Sequence, residues 1–559
     1  MLSRCTKTRI RVTPPILLRR AYSSSNSVSQ QNNKRKKTAA VVAATAVVTA
    51  AASAFYANSN NGLIRNDSRP VESSKLPGKY SAVTGSLVEF PRAASAASFS
   101  SKSTRMLDEQ DVSAKIRENE ESYLVDRDSG VTRFDINQLA SNPQIEDDFT
   151  AKIVNVGFAD GNHDWYFFGV FDGHGGWNTS AKLRELLIPY VARELTASLA
   201  PSTVPSTFGI ESLANAREID RSIETAFLKL DEDIVKKPIH FLLQNPYKPA
   251  SAEILMPAMA GSCALLGVYD AATSTLRVAC TGDSRAVWGH KDPSGKWTAT
   301  PLSYDQCGRN ETEAARLRAE HPGEKDVISN GRVLGGLEPT RAFGDARYKL
   351  PAQIVDNAAK LFFGRMAPKG SRTPPYVTSK PEIVTTKVEP GDFLILATDG
   401  IWDELSSTEA VQLVVEWVKK HQIENKGAPP PGVASQVRKG GLLSSVSDLA
   451  DVRIISDTAE LDSRLDNSRE QDSNTRTALR QAIAAQKHFR GLFVVEDDNV
   501  SSHIIRNALG GADKDQTAML LSIPAGASRR YRDDMTCMVV FFGERKGGQP
   551  SGKITPLKK

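Results

Sequence analysis

The pattern of this 559-residue chain predicts a mixed α and β fold. Several short apolar, aromatic-rich runs have the length and composition of buried strands: Tyr166 to Phe171, Phe393 to Thr398 and Cys537 to Phe542. Between such runs stand segments with helical spacing, residues 181–187 and 499–509 among them. Two of the strand-like runs stop at Asp-Gly (Asp172-Gly173 and Asp399-Gly400), and the third follows Arg532-Asp533-Asp534-Met535-Thr536. Strand ends hold side chains rigidly, and glycine permits close backbone approach. Alone, Asp172-Gly-His174-Gly-Gly would also suit a tight turn with a surface acid. Three carboxylates at strand ends, spread over more than half of the chain, predict one shared metal centre.

Composition bounds the rest. With 40% hydrophobic residues the chain can bury one large core or two smaller ones. A net charge of +6, much of it near the N-terminus, carries no nucleic-acid footprint. The five cysteines (Cys5, Cys263, Cys280, Cys307 and Cys537) have no zinc-ligand spacing and imply no disulfide framework. Cys280 and Cys537 lie in strand-like runs, where packing is the expected role.

Residues 1–66 contain eleven Lys or Arg and no acid, the composition of a mitochondrial transit peptide, assigned here to residues 1–37. Arg19-Arg20-Ala21-Tyr22-Ser23 resembles a matrix-protease cleavage site. Residues 38–56 are 19 uncharged, Ala-rich positions, near the roughly 20 needed to span a bilayer. They are expected to form a single inner-membrane anchor, although alanine makes its insertion energy marginal. The catalytic domain then faces the intermembrane space if insertion stops there, or the matrix if import is complete. Residues 57–105 read as a Ser/Ala/Asn-rich linker. Residues 106–545 are expected to form the folded domain and 546–559 a tail; the mixed polar pattern of 106–141 assigns no element. Residues 150–156 read as the first core strand. Residues 422–474, Pro- and Ser-rich, are expected to be a flexible, disordered insertion. Residues 475–486 read as a helix, as do 499–509, with Asn499 as N-cap and Gly510-Gly511 as the stop.

Six motifs occur in a fixed order: DGHGG (172–176), GSCALLGVYD (261–270), TGDSRA (281–286), TRAFGD (340–345), ATDGIWD (397–403) and RDDMT (532–536). In this order they resemble the protein phosphatase 2C family, metal-dependent protein serine/threonine phosphatases. Residues 142–148, Val333-Leu-Gly-Gly336 and 499–509 are most similar to its mitochondrial pyruvate dehydrogenase phosphatase branch. The resemblance implies an α+β fold, a four-layer αββα sandwich of two antiparallel sheets flanked by helices. It makes residues 346–375 a variable flap beside the active site.

The same resemblance assigns the site. Asp172 would bridge two divalent cations, with the Gly173 carbonyl, Asp399 and Asp533 as further ligands. Glu146 and Asp147 match a Glu-Asp pair that positions water near the ions. Asp283 and Asp403 would help hold a weaker third cation, whereas the plain role of Asp283 would be to cap a turn and pair with Arg285. All-oxygen donors suit Mg²⁺ or Mn²⁺. Two such ions would activate a shared water for in-line attack on phosphorus, with no covalent phosphoenzyme. His174 is expected to protonate the departing serine or threonine oxygen. Asp345 reads as structural, and Arg341 as a partner for nearby acids. Two departures stand out: Asn142 replaces a phosphate-gripping arginine, and Asp534 stands where many members have Asn. The implied substrate is a phosphoprotein, with pyruvate dehydrogenase as the branch's candidate. A catalytically inactive phosphoprotein-binding scaffold of the same fold is the alternative, and a two-metal nuclease is disfavoured for want of a basic, aromatic-studded groove.

Overall fold

The computed structural model describes residues 105–421 and 493–557, apart from breaks at 128, 159–160, 200–210, 246–248, 363, 525–526 and 546–552. The leader, the 38–56 segment, the linker, the 422–474 insertion and the expected helix at 475–486 lie outside the described residues. Among the described residues no helix is long and apolar enough to cross a membrane.

Two antiparallel sheets form the centre. Across the larger the order is β10 (Trp297–Pro301), β9 (Arg285–Lys291), β15 (Phe393–Ala397), β16 (Met535–Arg545), β2 (Ser129–Leu139), β1 (Glu121–Asp126) and β17 (Lys553–Pro556). Across the smaller it is β14 (Glu382–Lys387), β8 (Thr275–Thr281), β7 (Ala264–Asp270), β4 (Gly161–Phe171) and β3 (Asp148–Phe158). The unassigned 106–141 stretch thus supplies a helix, Glu109–Ile116, and two strands. Part of the expected tail pairs with β1 at the sheet edge, Leu124 opposite Thr555.

Strand alternation explains the layering. In β15, Leu394 and Leu396 join Phe134, Phe168, Val170, Val278 and Val540 in a core between the sheets. Their neighbours Phe393, Ile395 and Ala397 face outward, against Val411, Val414 and Trp417 of helix Ser407–His421 and Ile504 of helix Val500–Leu509. On the other sheet Trp165, Phe167 and Phe171 of β4 pack on Leu183, Leu187 and Val191 of helix Asn178–Leu199 and on Phe227 of helix Glu211–Gln244. A strand buried on both faces needs two covering layers, so the αββα sandwich follows from the side chains. Asn499 caps its helix as expected, accepting from the Ser502 amide at 2.9 Å, and Gly510 ends it.

Short pieces complete the frame: β13 (Phe343–Gly344), β6 (Gly261–Ser262) and β5 (Gly173–His174) pair side by side, and β11 (Ile328–Ser329) pairs with β12 (Arg332–Val333). The expected flap carries helices Ala346–Lys349 and Ala352–Phe362. Tyr348 and Tyr376 join Leu317 and Val333 in a small separate core there.

Candidate active site

The sandwich brings its acids to one end. Asp172 follows β4, Asp283 sits in the turn between β8 and β9, and Asp399 follows β15. One oxygen from each of these three carboxylates lies within 4.8 Å of the others. Asp147, at the start of β3, is buried, and its Oδ2 accepts from Thr398 Oγ1 at 3.0 Å and Thr536 Oγ1 at 2.8 Å. Those threonines belong to the paired ends of β15 and β16, so one carboxylate ties the two sheets together at the site.

Gly173 is needed for packing: a Cβ there would stand 2.0 Å from the Glu146 carbonyl oxygen. Asp534 clamps the same loop. Its Oδ1 accepts from Ser141 Oγ at 2.7 Å, and its Oδ2 accepts from the Glu146 amide at 2.8 Å. The additional negative charge at 534 is therefore spent on backbone and hydroxyl donors of the 141–146 loop.

His174 Nε2 lies 2.6 Å from Asp345 Oδ2. The Asp345 backbone is left-handed, with φ 49° and ψ 43°, a strained conformation for a non-glycine residue. It is held by its amide donating to Ala260 O at 2.8 Å, and by the Gly344 amide donating to buried Asp231 at 2.9 Å. Lys349 Nζ donates to the same Asp231 at 2.7 Å.

Residues 141–448, more than half of the chain, match the family model described as protein phosphatase 2C. The chain belongs to the protein phosphatase 2C family. A protein phosphatase 2C homolog of Schizosaccharomyces pombe is 40% identical over 437 residues, 78% of this chain and 85% of the relative. The mitochondrial [pyruvate dehydrogenase [acetyl-transferring]]-phosphatase 1 of Saccharomyces cerevisiae is 38% identical, covering 80% of this chain and 75% of the relative. The protein of the same name from Homo sapiens is 28% identical, covering 78% and 83%. The chain is accordingly a protein serine/threonine phosphatase.

The electrostatics of this phosphatase fit bound cations. Burial, then Asp399, Asp147 and Asp283, push the Asp172 carboxyl well above the usual range. Burial, with Asp403 and Asp283 adding repulsion, pushes Asp399 up to about 7. Burial and Asp534 raise Asp147 likewise. Acids crowded like this keep their charge only beside a compensating cation. An oxygen-only donor set suits hard divalent ions such as Mg²⁺ or Mn²⁺.

The expected residues are distributed as follows. Asp172, Asp399 and Asp283 converge, Asp283 being the residue expected at a weaker third cation. Its carboxylate accepts from Cys263 Sγ at 3.1 Å, and Arg285 pairs with Asp305 at 2.5 Å. Asp403 is exposed beyond the short helix Asp399–Trp402, its amide donating to Asp399 O at 2.7 Å. Asp533 is outside the three-carboxylate group and is paired with Arg529. Glu146 flanks the site; burial raises its pKa, and Arg529 opposes that rise. Arg341 does pair with acids, at 2.6 Å from Glu313 and 2.8 Å from Glu382.

Asp345 is the principal residue that sequence reasoning undervalued. It is 171 positions from His174, and no local spacing signals the pairing. Burial lowers the His174 pKa, but the Asp345 charge and hydrogen bond, with Asp283 and Glu146, outweigh it and hold the imidazole above its ordinary value.

Proposed function

We propose that this phosphatase hydrolyses phosphoserine and phosphothreonine in proteins by direct attack of water on phosphorus, with two divalent cations per site. The observation that carries the reading is the Asp172–Asp283–Asp399 cluster beside the His174–Asp345 pair. Mg²⁺ or Mn²⁺ held by Asp172, the Gly173 carbonyl, Asp399 and Asp533 would supply Lewis acidity and lower the pKa of water. Asp283 and Asp403 are the candidates for a weaker third ion. Glu146 and Asp147 orient water along the approach to phosphorus. His174 gives a proton to the departing serine or threonine oxygen. With Nε2 committed to Asp345, Nδ1 is the nitrogen left to deliver it.

The test is Mn²⁺-dependent phosphate release from a phosphoserine peptide. Asp172→Asn should abolish it, and His174→Ala should slow the peptide far more than an aryl phosphate, whose leaving group needs little protonation. A folded wild-type protein with bound Mn²⁺ and no turnover would instead mark a phosphoprotein-binding scaffold.

The substrate proposed is a phosphorylated pyruvate dehydrogenase component, supported by the names of two relatives. Those names and the acid-free residues 1–66 support a mitochondrial location. Residues 38–56 are proposed as an inner-membrane anchor; a pyruvate dehydrogenase substrate further requires the catalytic domain on the matrix side, which an intermembrane-space orientation would contradict. Carbonate extraction and protease protection in mitochondria with a ruptured outer membrane test both: a carbonate-soluble protein would overturn the anchor, and digestion of the catalytic domain would overturn the matrix side.

A further inference from the structure

A phosphatase must receive a phosphoryl group carrying about two negative charges into a site already walled by carboxylates. One exposed cation stands at that wall. Arg529, in the short turn Ser528–Arg530, has a side chain 38% exposed and pairs through Nη1 with Asp533. The turn is built into the site. Ser528 Oγ donates to Ser141 O, Arg532 Nη2 donates to Ala140 O, and the Arg532 amide donates to Ser528 O at 3.0 Å. Arg529 therefore projects from a segment fastened to the loop that carries Asn142 and Glu146.

We propose that Arg529 is the phosphoryl-gripping residue of this phosphatase, its guanidinium holding non-bridging oxygens of the bound phosphate. A planar guanidinium fork with several donors matches those oxygens, and the 38% exposure lets the side chain reach an incoming ligand without unfolding its turn. The single tether to Asp533 keeps it at the site. This assignment rests on the phosphatase reading.

The test uses the Mn²⁺-loaded protein with inorganic phosphate, p-nitrophenyl phosphate and a phosphoserine peptide. Arg529→Gln should raise the phosphate inhibition constant and the KM for both substrates roughly 10- to 100-fold, the worth of a charge-assisted hydrogen bond. Arg529→Lys should recover part of that loss, and Mn²⁺ affinity by calorimetry should be unchanged or tighter, because Asp533 is released. On the unaltered protein, inorganic phosphate should protect Arg529 from phenylglyoxal, read by peptide mass. Unchanged KM and phosphate inhibition in folded Arg529→Gln would overturn the proposal, as would a lack of phosphate protection. Weakened Mn²⁺ binding with intact phosphate affinity would also overturn it, leaving a purely structural ion pair. A wild-type protein without phosphatase turnover would remove the underlying reading and this assignment together.

Discussion

His174 and Asp345 meet through a 2.6 Å hydrogen bond across 171 residues of sequence; against the lowering effect of burial, the Asp345 charge and that bond are the largest influences raising the pKa of the imidazole. A general acid must start protonated. The raised pKa of His174 keeps it so to higher pH, so turnover of phosphoserine should fall as pH rises through that pKa. Asp345→Asn removes the charge that opposes burial and lowers the pKa. The falling limb of the pH–rate profile should then move to lower pH, with kcat on the peptide reduced more than on p-nitrophenyl phosphate. A profile that keeps its falling limb while losing rate uniformly would assign Asp345 a merely structural role.

The acid cluster predicts a stability that depends on pH and cations together. Asp172, Asp147 and Asp399 have folded-state pKa values above their unfolded ones. The folded state then binds more protons than the unfolded state between pH 4 and 7, so stability is greatest below that window and declines as pH rises through it. For Asp399 alone, raised to about 7, the loss is at most roughly 4 kcal/mol. In EDTA the urea midpoint should drop between pH 5 and 7.5. In Mn²⁺, which favours the ionised carboxylates, that decline should flatten. Identical pH dependence in the two buffers would contradict the electrostatic account of the site.

Asp534 predicts a loop effect. Both of its oxygens act as acceptors, one toward Ser141 and one toward the Glu146 amide. Asparagine keeps one acceptor and turns an NH₂ toward a donor. Asp534→Asn should destabilise by about 1–3 kcal/mol, the cost of an unmade buried hydrogen bond. Faster amide exchange should be confined largely to residues 141–147. Uniform exchange across the domain would mean that the clamp is not local.

The frame was legible in the sequence because it is periodic or punctuated. The runs ending at Asp172 and Asp399 are buried on both faces, and such runs are readable without partners. Asn499 and Gly510 mark a helix by local capping chemistry. β1 and β2 were not legible: the buried face of β2 includes Arg133, Asp135 and Asn137, whose polarity hides the strand. In the site, the acids and the convergence of Asp172 with Asp399 were readable, but the approach of Asp283 to both was not. Asp283 joins Asp172 and Asp399 through sheet register, and Arg529 reaches the site through Ser528 and Ser141, 387 residues apart. Pairing across such separations is set by tertiary packing, which no local spacing records.

Gly261 gives the sharpest steric prediction. It lies in β6, between β5 with His174 and β13 beside Asp345. A Cβ on it would stand 2.0 Å from His174 Nε2 and 2.2 Å from Asp345 Oδ2, far inside van der Waals contact. Both side chains are held by paired backbone on either flank, so the methyl group must displace the ring, the carboxylate or both. Asp172, Asp283 and Asp399 approach from other strand ends and should remain in place. Gly261→Ala should therefore retain Mn²⁺ binding while lowering kcat on the phosphoserine peptide roughly 100-fold, the low end of what a positioned general acid contributes. Its effect on p-nitrophenyl phosphate should be smaller, because that leaving group departs without a proton. An alanine variant with unaltered peptide turnover would show that the His174–Asp345 contact is dispensable for protonating the departing oxygen.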